Sequence, residues 1–282
     1  MRELIDELKD IELVVLDMDG VVYRGKNLIP NADKVIEELN NLSIKVVYNT
    51  NNSTRTRQMY VERLKKLGIK SEITDFYTSA SITASEITKI KKNSKIFIIG
   101  EIGLKTELED MGHIVITEEE QCNNVDFVIV GLDRDFNYQK LAFAQQCILV
   151  NGAKFIATNS DATLPAEDRM MPGAGVMVNA VKTCTNIEPM ITFGKPNPFG
   201  IIKILEENNV DRIHACMIGD RLNTDILAGN KAGIKTIAVL TGVTTREEID
   251  LIKKKSIHSD KKYKDLVPDL ILDKLYKMFI AN

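Results

Sequence analysis

The sequence predicts an α/β fold with a largely parallel sheet. Two observations predict it. Short β-branched runs recur along the chain, and amphipathic segments of helical length separate most of them.

Taken in order, Glu12–Leu16 reads as the first strand. Ala32–Asn41 places Val35, Ile36 and Leu39 at helical spacing. Ile44–Tyr48 is the second strand, and Arg55–Leu67 is a second helix closed by Gly68. Lys95–Ile99, Phe127–Val130, Lys154–Ala157, His214–Ile218 and Lys235–Val239 follow as strands. A barrel and an open doubly wound sheet both fit this pattern. In an open sheet, ligands bind beyond the carboxyl ends of the strands, so polar residues just after strands are the ones to inspect.

The chain has 282 residues, enough for one large domain or two smaller ones. Its formal charge of −3 gives no electrostatic reason to expect nucleic acid or an anionic membrane as partner. The longest apolar runs, such as Ile11–Leu16 and Ile96–Ile99, fall far short of the roughly 20 residues that span a bilayer. Acids are mixed into Met1–Glu7, unlike the basic start of a secretory leader. Cys122, Cys147, Cys184 and Cys216 are widely spaced and are expected to be free thiols in a reducing cytoplasm. The lysine-dense stretch Lys253–Lys264 reads as solvated surface. Gly173-Ala174-Gly175 lacks the third glycine of a dinucleotide fingerprint.

Four polar clusters stand at predicted strand ends. The first is Asp17-Met18-Asp19-Gly20. In extended chain, residues two apart face the same way, and two adjacent carboxylates call for a counter-charge such as Mg²⁺. Acidic pairs after strands also serve as caps or turn formers. The second is Asn49-Thr50-Asn51-Asn52-Ser53-Thr54, expected to open a helix. Helix N-termini bind phosphate, although Ser, Thr and Asn also cap them. The third is Gly194-Lys195-Pro196-Asn197-Pro198, where two prolines stiffen the segment that carries the lysine, although an ordinary surface lysine is the alternative. The fourth is Gly219-Asp220…Asp225. Asp220 follows a strand, and Asp225 sits in the first turn of a helix, where capping by the helix dipole is an alternative. Together the four clusters supply a nucleophile, an acid–base partner, phosphate donors, a cation and a further carboxylate, which is what phosphoryl transfer requires.

These segments, in this order, resemble the four motifs of the haloacid dehalogenase-like (HAD) superfamily. Thr-Asn-Asn-Ser-Thr from Thr50, Gly-Lys-Pro-Asn-Pro from Gly194, Ala157-Thr158-Asn159-Ser160-Asp161 and Pro172-Gly173-Ala174-Gly175 resemble its NagD-like, para-nitrophenylphosphatase-type branch, subfamily IIA. The resemblance runs from about Glu12 to about Val243. Ser160 stands where relatives often have proline, which loosens expectations for the Asn159–Asp161 loop.

The resemblance implies a Rossmann-like core from residues 1–80 and 190–282, with an inserted α/β cap of the C2 type at 81–189. It implies a Mg²⁺-dependent phosphatase of small phosphomonoesters. Asp17 would be the nucleophile and Asp19 the general acid/base. Thr50, Asn51, Asn52 and Lys195 would hold the phosphate. The metal would be held by Asp17, the Asp19 backbone carbonyl and Asp220, with Asp225 supporting that shell. The expected partner is a small phosphorylated metabolite, and caps of this type imply a homodimer. A phosphotransferase or mutase, and a non-catalytic phosphometabolite-binding protein, are the alternatives. His113, His214 and His258 lie outside the four clusters and are not expected to be catalytic.

Overall fold

The computed structural model describes residues 3–117, 124–165, 169–258 and 261–280; Cys122 lies outside them. Along the chain, β1 (Leu13–Leu16) leads into a hairpin of β2 (Tyr23–Arg24) and β3 (Asn27–Leu28), then α1 (Ala32–Asn41), β4 (Lys45–Thr50), α2 (Arg57–Lys66) and β5 (Phe76–Thr78). Next come α3 (Ser79–Ile90), β6 (Lys95–Ile99), α4 (Ile102–Asp110), β7 (Ile114–Ile116), β8 (Phe127–Val130), α5 (Tyr138–Leu149) and β9 (Lys154–Ala157). A second hairpin of β10 (Thr163–Pro165) and β11 (Met170–Pro172) precedes α6 (Ala174–Thr185) and β12 (Ile191–Thr192). The chain finishes with α7 (Phe199–Asn208), β13 (Ala215–Gly219), α8 (Leu227–Ala232), β14 (Lys235–Val239), α9 (Arg246–His258), α10 (Lys261–Lys264) and β15 (Leu270–Leu272).

The chain divides into two compact units. The first comprises Met1–Thr50, Val61–Tyr77 and Lys195–Asn282, and the second comprises Asn51–Tyr60 and Thr78–Gly194.

In the first unit the sheet order is β15-β14-β13-β1-β4-β5. The pairs from β15 through β4 are parallel. All four residues of β1 are buried, as a central strand covered on both faces requires. α1 turns Ala32, Val35, Ile36 and Leu39 inward, the stripe its spacing predicts. Leu16 stands opposite both Ile218 and Tyr48. The carboxyl ends of β13, β1 and β4 therefore finish side by side, and this alignment builds the site.

The second unit has its own parallel sheet, in the order β12-β9-β8-β6-β7. Its core gathers Phe97, Phe143, Phe155 and Val181, with the Phe97 and Phe143 rings edge to face at 4.5 Å. Cys184 and Cys216 are free thiols. Among the described residues, no helix is long and apolar enough to cross a membrane.

The architecture is an α/β fold with an open, Rossmann-like parallel core sheet and an additional cap-like sheet, which excludes the barrel. β5, β7, β12 and β15 have three residues or fewer. Runs that short carry no usable period, so only their neighbours in the sheet define them.

Candidate active site

Asp17 is the first residue past β1, and its N–H still donates to the Ile218 carbonyl at 2.9 Å. That bond carries the parallel ladder one step beyond the strand and fixes the backbone of Asp17. β1 itself ends at Leu16, so strand alternation does not place Asp19. A tight turn does: Val22 and Tyr23 both donate to the Met18 carbonyl, and Gly20 donates to the Tyr23 carbonyl. Asp19 forms a lone bridge with Tyr23 in this turn and is half-buried.

Lys195 is the residue around which the acids gather. Its ammonium lies 2.7 Å from Asp17 Oδ1 and 2.7 Å from Asp225 Oδ1. A third bond goes to the Asn49 carbonyl at 2.8 Å, so all three of its protons have acceptors. Lys195 is 4% exposed, and such a lysine stays charged only with close anionic partners. The Asp17 and Asp225 carboxylates outweigh its burial and raise its pKa above the ordinary lysine value.

Asp220 follows β13 and is buried. Its Oδ2 accepts the Val243 N–H at 2.8 Å. Asp225 lies in a π-helical turn, Leu222–Ile226, and not in an α-helix as its sequence context predicts. Its Oδ2 accepts the Arg221 N–H at 3.1 Å while its Oδ1 faces Lys195. Asp225 thus both caps its own turn and shares the lysine. Carboxylate oxygens of Asp17, Asp220 and Asp225 fall within 4.8 Å of one another.

This crowding carries an electrostatic cost. Burial pushes the Asp17 carboxyl well above the ordinary aspartate range, with Asp225 and Asp220 adding to the rise and Lys195 opposing it. Burial, assisted by Asp225, pushes Asp220 up to about 7 against the opposing Val243 N–H, Arg221 and Lys195. One ammonium cannot neutralise three clustered carboxylates. A divalent cation fits that deficit, and hard carboxylate oxygens suit Mg²⁺. Both Asp225 oxygens are engaged, Oδ1 by Lys195 and Oδ2 by the Arg221 N–H, whereas Lys195 meets Asp17 at Oδ1 and Val243 meets Asp220 at Oδ2, so a cation here would draw on Asp17 and Asp220.

Glycines make room for this arrangement. A Cβ at Gly20 would stand 2.4 Å from Asp220 Oδ2, and one at Gly242 only 1.8 Å from it. Gly20 also adopts φ +88°, where side chains are strained. Backbone at both places closes directly onto the carboxylate.

The second cluster behaves differently from its sequence expectation. Thr50 is the buried last residue of β4, but α2 does not begin until Arg57, so no helix N-terminus lies at Thr50–Asn52. Asn52 instead accepts the Thr54 N–H at 2.9 Å and the Thr54 hydroxyl at 2.8 Å, a local Asx turn. Asn51 and Asn52 belong to the second unit. There the Asn51 amide donates to Asp161 Oδ2 at 3.0 Å, and Asn159 donates to the Asn51 carbonyl at 2.8 Å. Asn159 also accepts the Asp161 N–H at 3.1 Å, so it is both a turn residue and a tether.

Of the histidines, His113 is buried against Thr88 and Ser94, and His214 precedes β13, at the opposite end from Asp220. The side chain of His258 lies outside the described residues. Thr241, Gly242 and Val243 were not singled out by sequence reasoning. The signal available was their place just after β14, a strand end with its own polar and glycine residues.

A parallel Rossmann-like sheet with an acidic cluster and a buried lysine at its strand ends has the form of a phosphate-ester hydrolase. Comparison with known proteins agrees. Residues 14–114 match the family described as haloacid dehalogenase-like hydrolase, and residues 192–275 match a HAD-hydrolase-like family. An acid sugar phosphatase of Staphylococcus epidermidis is 38% identical over 92% of this chain and 96% of its own. The structure of a 4-nitrophenylphosphatase from Thermotoga maritima superposes with a TM-score of 0.86 at 34% identity, covering 97% of this chain and 98% of the other. A glycerol phosphate phosphatase from Mycobacterium tuberculosis, solved with magnesium, gives 0.84 at 26% identity, covering 98% of this chain and 79% of that one. The chain belongs to the haloacid dehalogenase-like hydrolases, in their NagD-like, para-nitrophenylphosphatase-type branch, and is a phosphatase.

Proposed function

We propose that the chain hydrolyses small phosphomonoesters in a Mg²⁺-dependent reaction that passes through an aspartyl phosphate on Asp17. The observation that carries this reading is the buried Lys195 ammonium, 2.7 Å from both Asp17 and Asp225. A carboxylate attacks a phosphate dianion only when its surroundings offset the repulsion between them, and Lys195 does so at the attacking oxygen itself.

In the first step Asp17 Oδ attacks phosphorus, the ester P–O bond breaks, and Asp19 gives its proton to the departing alkoxide. In the second, Asp19 takes a proton from water, the water oxygen attacks phosphorus, and the Asp17 carboxylate leaves. Asp17, the Asp19 backbone carbonyl and Asp220 are the residues to hold Mg²⁺, which when bound supplies positive charge to the phosphoryl oxygens. Asp225 keeps Lys195 in place. Thr50, Asn51, Asn52 and Lys195 bind the phosphate.

The second unit serves as the C2-type cap that selects the leaving group and joins two copies of the chain as a dimer in the cytoplasm. Sugar phosphates head the substrate list, because the Staphylococcus relative is named an acid sugar phosphatase. A panel of phosphomonoesters read by phosphate release, with and without Mg²⁺, tests the reading. Release from sugar phosphates only when Mg²⁺ is present supports it, and absence of hydrolysis across the panel with Mg²⁺ refutes it.

A further inference from the structure

Asp220 is enclosed by a loop that none of the four motifs contains. The Val243 N–H reaches Asp220 Oδ2 at 2.8 Å, and the Thr244 N–H reaches the Asp220 carbonyl at 3.0 Å. The loop therefore grips both the side chain and the backbone of one aspartate. Gly242, between the grip and its anchor, passes so close that a Cβ there would stand 1.8 Å from Asp220 Oδ2. A carboxylate so enclosed keeps its orientation only as long as the loop keeps its position.

Two side chains hold that position. The Thr241 hydroxyl donates to the Gly20 carbonyl at 2.6 Å, tying the loop to the turn that follows Asp17. From the β2–β3 hairpin, Arg24 Nη2 donates to the Thr241 carbonyl at 2.7 Å and to the Gly242 carbonyl at 3.2 Å. The hairpin is itself braced, with the Arg63 guanidinium 3.6 Å from the centre of the Tyr23 ring and donating to the Gly25 carbonyl. Arg24 thus holds the Thr241 and Gly242 carbonyls, and the next two residues of the same loop, Val243 and Thr244, hold Asp220.

We infer that Thr241 and Arg24 are positioning residues: they clamp the Thr241–Thr244 loop onto Asp220 and so set the affinity of the site for its divalent cation. The inference rests on the reading of Asp220 as a cation ligand. Partners behind a metal ligand orient it, and removing one typically weakens metal binding by about 10- to 100-fold. The Thr241 hydroxyl and the Arg24 guanidinium bond backbone carbonyls and act through the loop.

The test uses Thr241→Val, which removes the hydroxyl at nearly constant volume, Arg24→Met, which keeps the aliphatic stem, and Thr241→Ser, which restores the donor. Mg²⁺ is titrated into each metal-free protein, and half-saturation is read both from the rise in Tm and from p-nitrophenyl phosphate hydrolysis. Circular dichroism checks the fold of each variant. Thr241→Val and Arg24→Met are expected to need about tenfold more Mg²⁺ in both readouts, with kcat at saturating Mg²⁺ falling less than the affinity, and Thr241→Ser is expected to return most of the loss. Wild-type half-saturation in folded Thr241→Val and Arg24→Met overturns the inference, as does a failure of Thr241→Ser to recover the affinity. If the wild-type chain shows no Mg²⁺-dependent rise in Tm, the cation-ligand reading of Asp220 falls first and takes this inference with it. A wild-type rise matched by both variants removes the clamp alone.

Discussion

The Lys195 ammonium and Asp17 Oδ1 lie 2.7 Å apart, and the lysine is almost fully buried. The same ammonium contacts Asp225, so removing it leaves two carboxylates facing each other without their counter-charge.

Lys195→Met is therefore expected to lower kcat by about 10³-fold, in line with the loss of a fixed electrostatic contact at a reacting centre. It is also expected to cost about 3 kcal/mol of stability at neutral pH, because breaking one partner of a buried pair leaves charge uncompensated. Asp17 already has a raised pKa, so protonation relieves that loss and the deficit shrinks as pH falls. Denaturant titrations of both proteins at about pH 5 and about pH 8 check the sign.

With Asp220 as the proposed cation ligand, its carboxyl sets the expected pH dependence of Mg²⁺ binding. Its carboxyl is raised from 3.8 to about 7 in the metal-free fold, mainly by burial. A carboxyl raised on folding contributes stability below its unfolded pKa and loses it as pH climbs through the folded value. The metal-free protein therefore loses this contribution between about pH 4 and about pH 7. Mg²⁺ needs the deprotonated form, so its half-saturating concentration is expected to fall about tenfold from pH 6 to pH 8. Thermal shift at each pH measures it, and a flat profile contradicts the assignment.

Gly242→Ala places a methyl where only 1.8 Å separates it from Asp220 Oδ2. The carboxylate must rotate or the loop must lift, and either one displaces the proposed cation ligand. The expected result is a Mg²⁺ requirement raised about 10- to 100-fold, measured by titration of activity and Tm. Gly68→Ala is the contrasting case: nothing lies within 4 Å there, but φ is +81°, so alanine strains the backbone and is expected to lower Tm without changing the Mg²⁺ requirement.

Asp161→Ala removes the carboxylate that the Asn51 amide donates to. If Asn51 binds phosphate, the change is expected to raise KM several-fold while kcat falls less, since the released amide loses its orientation. Steady-state kinetics with p-nitrophenyl phosphate distinguish this from a uniform loss.

The site was legible in part from residue type at strand ends: Asp17 and Asp220 follow runs that announce their own strands, whereas Lys195 follows β12, which is too short to read, and stood out only through Pro196 and Pro198. α1 was found with its bounds, since Val35, Ile36 and Leu39 repeat at helical spacing over the whole element. Other features were hidden for identifiable reasons. The six-residue delay between Thr50 and α2 arises because Asn52 spends its side chain on a local turn, which polar composition alone does not distinguish from a helix cap. The π-helical turn around Asp225 leaves no periodic mark in five residues. Arg24 and Thr241 are 217 positions apart, and only the sheet brings them together.

The role of Asp17 as nucleophile is tested most directly by p-nitrophenyl phosphate turnover of Asp17→Asn, measured at saturating Mg²⁺ on protein whose circular dichroism matches wild type. The substitution keeps the shape of the side chain and removes its negative oxygen. Turnover is expected to drop by roughly 10³-fold or more, whereas turnover within about tenfold of wild type would mean that another group attacks phosphorus.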